Sequence, residues 1–287
     1  MLYGVIDIGS NSVRSMLWRE GVTLKKEVII TRLGENLNAS GILCDAAKIR
    51  TVEAIAALRD KLLSDGAEYI CAFGTAAMRR AANGAAFGRE IKEKLSIPVE
   101  IVSGEEEAAL GLIGALNGKD GGIIDIGGAS SEISVSRGGK RIYGYSLDMG
   151  VVRLADICGQ DADKLKTTCA EAVKEYPDVP YAEFYGIGGT ATSLAAIDLA
   201  LDPYDPEKVN GYKMDVVRLK ALSEKLLSMS VEERKRLKGL QSGRAEVIAG
   251  GSVLLLAIMD KLGLEEITVS ESDNLEGYAL SRFKEKA

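Results

Sequence analysis

Two short stretches, far apart in the chain, carry the residue types that phosphate chemistry needs. Ile6-Asp7-Ile8-Gly9 recurs as Ile124-Asp125-Ile126-Gly127, and Ser12 recurs at the same offset as Ser130. In each copy an apolar run delivers a carboxylate to a Gly-rich polar turn, after which alternation resumes through Val13, Met16 and Trp18 or through Ile133 and Val135. That pattern predicts strand, tight turn, strand. Such a turn presents backbone N–H groups with no Cβ in the way, and a concave set of N–H groups binds phosphate. Either copy alone reads equally well as an ordinary hairpin turn. Two copies, with Asp7 and Asp125 at matched positions, point further, because paired carboxylates facing a phosphate are a usual way to hold Mg²⁺.

The 287 residues contain no histidine. Ser-His-Asp and Cys-His arrangements and His-ligated zinc are therefore excluded, and hydrolysis must rest on carboxylates, Lys and Arg, backbone amides and hard cations. Ser103-Gly104-Glu105-Glu106-Glu107 opens an apolar helical stretch ending near Leu116. Ser103 with Glu106 forms a capping box, and acidic residues suit the first turn. This accounts for Glu105 and Glu106. A glutamate turned inward from a helix of small apolar residues would be desolvated, its pKa raised toward that of a general base. Glu68 to Phe73 reads as a strand that ends in Gly74-Thr75-Ala76-Ala77-Met78-Arg79-Arg80, one way to bring an arginine to an anion; solvated arginines near a helix N-terminus fit equally. Gly186-Ile187-Gly188-Gly189-Thr190 is a third Gly-rich turn, and its Gly-x-Gly-Gly spacing is not the dinucleotide fingerprint.

These groups need a scaffold of strands and helices. A third strand is expected within Gly21 to Leu33, helices over Asp45 to Leu63 and Asn83 to Leu95, and a strand at Val99 to Val102. The second half repeats strand, turn, strand, followed by helices, a last strand at Glu265 to Ser270 and a last helix at Asn274 to Phe283. The polar cluster Asn117 to Gly122 sets a boundary, giving domains at residues 1–118 and 119–287. Ser230-Val231-Glu232-Glu233-Arg234-Lys235-Arg236-Leu237 reads as a solvated charged face. A net charge of −6 argues against nucleic acid as a partner. Cys44, Cys71, Cys158 and Cys169 are scattered without a Cys-x-x-Cys pair and read as core thiols. With no leader pattern and no apolar run near the length of a membrane span, a cytoplasmic protein without membrane contact is expected.

Taken together, these segments resemble the exopolyphosphatase and guanosine pentaphosphate phosphohydrolase family, within the superfamily of sugar kinases, actin and heat-shock ATPases. The match runs in order through Ile6 to Arg14, Gly74 to Arg79, Ile101 to Ala108, Ile124 to Glu132, Gly186 to Thr190 and Arg244-Ala245-Glu246. The resemblance implies an α/β protein of two ribonuclease-H-like domains with the active site in the cleft between them, and metal-dependent release of terminal phosphate from a linear phosphoanhydride. It implies Glu107 as the base that activates water. It also implies Ser10, Asn11, Ser12 and Arg14 as the first phosphate loop, Gly127, Gly128 and Ser130 as the second, and Arg79 and Arg244 as phosphate contacts. Asp125 and Glu132, with Asp7, would hold Mg²⁺ or Mn²⁺. The substrate would be inorganic polyphosphate or guanosine pentaphosphate, and the protein a homodimer. Ala129 stands where the family usually has a third glycine, and Glu271-Ser272-Asp273-Asn274-Leu275-Glu276-Gly277 lacks the arginine usual there. Ending at Ala287, the chain is expected to be a short form without further helical domains. A kinase or ATPase of the same fold, using Gly186 to Thr190 for nucleotide, and a non-catalytic phosphorylated-nucleotide sensor are the alternatives.

Overall fold

A computed structural model of the chain describes residues 1–283. Two mixed sheets with flanking helices make it an α/β protein. The first sheet contains β1 (Tyr3–Ile8), β2 (Ser12–Arg19), β3 (Val22–Ile30), β4 (Tyr69–Gly74) and β5 (Val99–Ile101), in the order β3-β2-β1-β4-β5. β1, β2 and β3 form an antiparallel meander, and β4 and β5 add in parallel. Side chains alternate between the faces of a strand, so β1 feeds two cores. Ile6 and Ile8 pack with Ile55 and Leu58 of the helix Asp45–Ser64, while Val5 packs with Met16, Trp18 and Phe73.

The second sheet contains β6 (Gly121–Ile126), β7 (Ser131–Arg137), β8 (Lys140–Leu147), β9 (Phe184–Ile187), β10 (Lys213–Asp215) and β11 (Glu266–Val269), ordered β10-β11-β9-β6-β7-β8. It repeats the arrangement of a three-strand meander followed by parallel strands, and adds antiparallel β10 at one edge. Its core joins Ile124, Ile126 and Ile133 to the helix Ile248–Leu262. That helix is buried along most of its length, as its nearly unbroken apolar sequence requires.

The chain forms two compact units, Ala115–Asp273 and Met1–Gly114 joined by the residues from Asn274 onward. The sequence boundary places the last helix, Asn274–Phe283, with the second half; the structure places it with the first. Its partners explain why. Tyr278 stacks on Phe73 with ring centroids 4.6 Å apart, and Phe283 stacks on Tyr3 at 4.1 Å. Glu276, largely buried, accepts from Thr23 Oγ1 at 2.8 Å and Lys26 Nζ at 2.9 Å. Within the second unit the charged run 230–237 is only partly a solvated face. Glu232, Glu233, Lys235 and Arg236 are exposed, but Arg234 is 1% exposed. Among the described residues no helix is long and apolar enough to cross a membrane.

Candidate active site

The predicted site residues divide between the units. In the first, the turn between β1 and β2 closes by a bond from Gly9 N–H to Ser12 O at 3.0 Å. The carbonyl of Asn11 accepts from Thr31 and Arg32, and that of Ser10 from Gly34, so the segment after β3 straps the turn from outside. The Asn11 side chain is 6% exposed, yet neither Oδ1 nor Nδ2 has a hydrogen-bond partner among the described residues. An unpaired buried amide costs free energy unless a ligand or water completes it. The hairpin register sets Asp7 opposite Arg14, and Arg14 Nε donates to Asp7 Oδ2 at 3.0 Å, with Nη2 on the same oxygen. Both were expected at a phosphate or metal; here each neutralises the other.

The three glutamates after Ser103 separate by role. Glu106 completes the capping box, accepting from Ser103 N–H at 2.9 Å while its own N–H donates to Ser103 Oγ at 3.1 Å; these bonds hold its carboxyl below the usual range. Glu107, next along the helix Gly104–Leu116, points inward and is 8% exposed. Burial pushes its carboxyl up, an effect that Arg79 opposes and the nearby Asp7 reinforces. Arg79 reaches it from the short helix Ala76–Arg80, Nη1 donating to Glu107 Oε2 at 2.8 Å and to Val102 O at 3.0 Å. Both bonds leave from one nitrogen. Among the described residues Nε and Nη2 have no protein acceptor, and the side chain is a quarter exposed.

In the second unit the turn between β6 and β7 closes identically, Gly127 N–H donating to Ser130 O at 2.9 Å. The carbonyls of Gly127 and Gly128 accept from Val151, Val152 and Arg153 at the start of the helix Val151–Cys158, which fixes the turn against that helix end. Ala129 is accommodated there as a buried residue. Asp125 and Glu132 are cross-strand partners, so their side chains share one face of the sheet. Glu132 is buried and accepts from Ser146 Oγ at 2.6 Å. Gly188, with φ +73°, opens the third Gly-rich turn; a Cβ there would lie 2.6 Å from Asp125 Oδ1. At Gly189 a Cβ would lie 2.2 Å from Arg244 Nη1, so the guanidinium rests directly on the backbone that begins the helix Gly188–Asp198. Tyr204, not singled out by sequence, donates to Glu271, the first residue of the segment that lacks the usual arginine, beside Arg244; burial and the Glu271 carboxylate push the Tyr204 phenol up. The Asp202-Pro203-Tyr204-Asp205-Pro206 loop offers no motif that marks this role.

No three His, Cys, Asp or Glu side chains among the described residues converge as a metal-binding set. Mg²⁺ does not require such a set, since it keeps several waters and takes one or two carboxylates plus phosphate oxygens. The same-face pair Asp125 and Glu132, with Ser146 orienting Glu132, fits that mode. Asp7, engaged by Arg14, fits it less well.

The chain is 29% identical to exopolyphosphatase 2 of Mycobacterium tuberculosis, over 96% of this chain and 97% of that protein. It is likewise 29% identical to the bifunctional 3-dehydroquinate synthase/phosphatase of Fusobacterium nucleatum, covering 98% of this chain but 46% of the relative. A guanosine-5'-triphosphate,3'-diphosphate pyrophosphatase of Photobacterium profundum is 28% identical over 96% of the chain and 58% of its own length. The chain thus spans about half the length of two of these relatives. Among solved structures, the PPX-GPPA enzyme of Aquifex aeolicus superposes with a TM-score of 0.79 at 26% identity, covering 98% of this chain and 99% of that one. An exopolyphosphatase of Cytophaga hutchinsonii, at 23% identity, shares the fold with a TM-score of 0.84 over 98% and 97% of the two chains. The two repeated turns and the buried glutamate lie within or beside a family match running through residues 19–286, and the chain belongs to the Ppx/GppA phosphatase family.

Proposed function

We propose that this protein is an exopolyphosphatase that releases terminal orthophosphate from inorganic polyphosphate. The observation that carries the reading is Glu107, a buried carboxylate raised in pKa and held by an arginine with donors to spare. A base of that kind takes a proton from water while the water oxygen attacks the terminal phosphorus. The bond from phosphorus to the bridging oxygen breaks, and the electron pair leaves on the shortened chain. Phosphoryl transfer needs positioning and charge neutralisation more than covalent help. In the first unit the Asn11 amide, the turn 9–12 and Arg79 would supply donors for phosphate oxygens, and in the second unit the turn 127–130 would do the same. Asp125 and Glu132 would hold Mg²⁺, which would supply neutralisation of phosphate charge. The Photobacterium relative favours guanosine pentaphosphate as the second reading.

Orthophosphate release should be measured side by side on long polyphosphate, short polyphosphate, guanosine pentaphosphate and ATP, with Glu107→Gln as control. Release from polyphosphate that disappears in the variant supports the proposal. Preference for guanosine pentaphosphate promotes the second reading, and absence of release from every substrate overturns both.

A further inference from the structure

Arg234 is a buried charged side chain that the proposed chemistry leaves unused, and its environment is unusual. Among the described residues all its hydrogen-bond partners are oxygens of uncharged groups. Nε donates to Leu226 O at 2.7 Å, and Nη1 donates to Gln160 Oε1 and to Ala245 O at 3.3 Å. Leu226 lies in the last turn of the helix Val216–Ser228, where carbonyls lack intrahelical donors and carry partial negative charge. That softens the burial of a guanidinium without replacing a carboxylate, so an apolar side chain of similar size would fill the space at lower cost. A role in holding something in place explains the arginine better than a role in stability.

What it holds is the segment that carries Arg244. Gln160, in the turn between the helices Val151–Cys158 and Ala162–Ala172, takes the Arg234 bond on Oε1 and donates through Nε2 to Glu246 O at 3.0 Å. The carbonyls of the two residues after Arg244 are thereby clamped, one by Arg234 and one by Gln160. Arg244 sits in the one-turn 3₁₀ helix Ser242–Arg244, whose internal support is two bonds, from its own N–H to Gln241 O at 2.8 Å and from Ala245 N–H to Ser242 O at 3.2 Å. Its guanidinium rests against Gly189, and a short turn does not by itself hold a side chain to the roughly 0.5 Å that a binding site requires.

We propose that Arg234 and Gln160 are positioning residues that fix the backbone of Arg244, so that its guanidinium is aimed at a phosphate oxygen of the substrate. This rests on the phosphohydrolase reading. The test combines steady-state phosphate release from polyphosphate with hydrogen exchange of residues 241–248 in full-length Arg234→Met, Gln160→Ala, Arg244→Ala and the double variants with Arg244→Ala. Each clamp variant should lower kcat/KM by about three- to tenfold, the range of one ordinary lost hydrogen bond, and speed exchange across 241–248. Neither should lower kcat/KM further when Arg244 is already alanine, because the clamp acts through that residue. Factors that multiply in the double variants, or exchange unchanged across 241–248, overturn the proposal. If Arg234→Met fails to fold, Gln160→Ala decides alone, since Gln160 is exposed. Wild-type protein that releases no phosphate counts against the phosphohydrolase reading, while the exchange measurement still decides whether the clamp exists.

Discussion

Replacing Glu107 by Gln separates the two roles a buried carboxylate can have. Gln keeps the shape and an Oε1 that can accept from Arg79 Nη1, now 2.8 Å from the carboxylate, but removes the charge. A charge-assisted hydrogen bond exceeds a neutral one by roughly 1 kcal/mol, and the variant no longer has to desolvate an anion in a site that is 8% exposed. The two terms oppose, so folding stability should change by less than about 1 kcal/mol, or about 2–4 °C in Tm. Turnover should fall by about 10² or more, equivalent to about 2.7 kcal/mol of barrier. The pH dependence carries a sign. Because burial raises Glu107 above its ordinary 4.5, the native state binds more protons than the unfolded state in the window above that value. The wild type therefore loses stability relative to Glu107→Gln as pH rises from 4.5 through the raised value, and the difference then levels off. In the same window wild-type kcat/KM should climb, its acid limb lying above that of an ordinary glutamate. Thermal melts and phosphate release across pH 4 to 8, about the span in which a raised carboxyl titrates, measure both. A variant that retains wild-type turnover, or a stability difference that shrinks as pH rises, would refute the reasoning.

Gly189→Ala puts a Cβ 2.2 Å from the end of a flexible arginine, so the fold should survive with under about 1 kcal/mol lost while kcat/KM drops about tenfold, as in Arg244→Ala; melting and kinetics on both variants check this. Ser146→Ala removes the bond that orients Glu132, and the Mg²⁺ concentration for half-maximal phosphate release should rise about tenfold or more, as read from a metal titration. Tyr278→Ala empties a buried ring site stacked on Phe73 and deletes a 2.8 Å bond to Glu100, costing about 3 kcal/mol or more in urea unfolding.

The repeated hairpins were legible because period-2 alternation on either side of a Gly-rich turn has few other interpretations, and Gly9 to Ser12 and Gly127 to Ser130 close by the same bond. The capping box at Ser103 was legible for the same local reason, which left Glu107 as the inward glutamate. Pairing across the hairpin was within reach but passed over. The register that places Asp7 opposite Arg14 follows from the turn length, and it brings the two side chains into an ion pair. Arg234 could not have been read locally. Its neighbours in the charged run are solvated, and what buries it is Gln160, far away in sequence, and a carbonyl at the end of another helix. The last helix packs with the first unit through the same kind of long-range effect, since Tyr3, Trp18 and Phe73 give no sign in their own sequence of the segment that covers them.

That last helix sets an order on the protein's making. A ribosome releases residues 115–273 with every strand of the second sheet already present, whereas β1, made first, waits with one face uncovered until Leu275, Tyr278 and Phe283 emerge. Contacts spanning nearly the whole chain close late, since the intervening loop must be ordered first. The half synthesised first is thus the half completed last, and a nascent chain stalled short of Asn274 exposes an apolar face of its oldest strand to whatever is nearby.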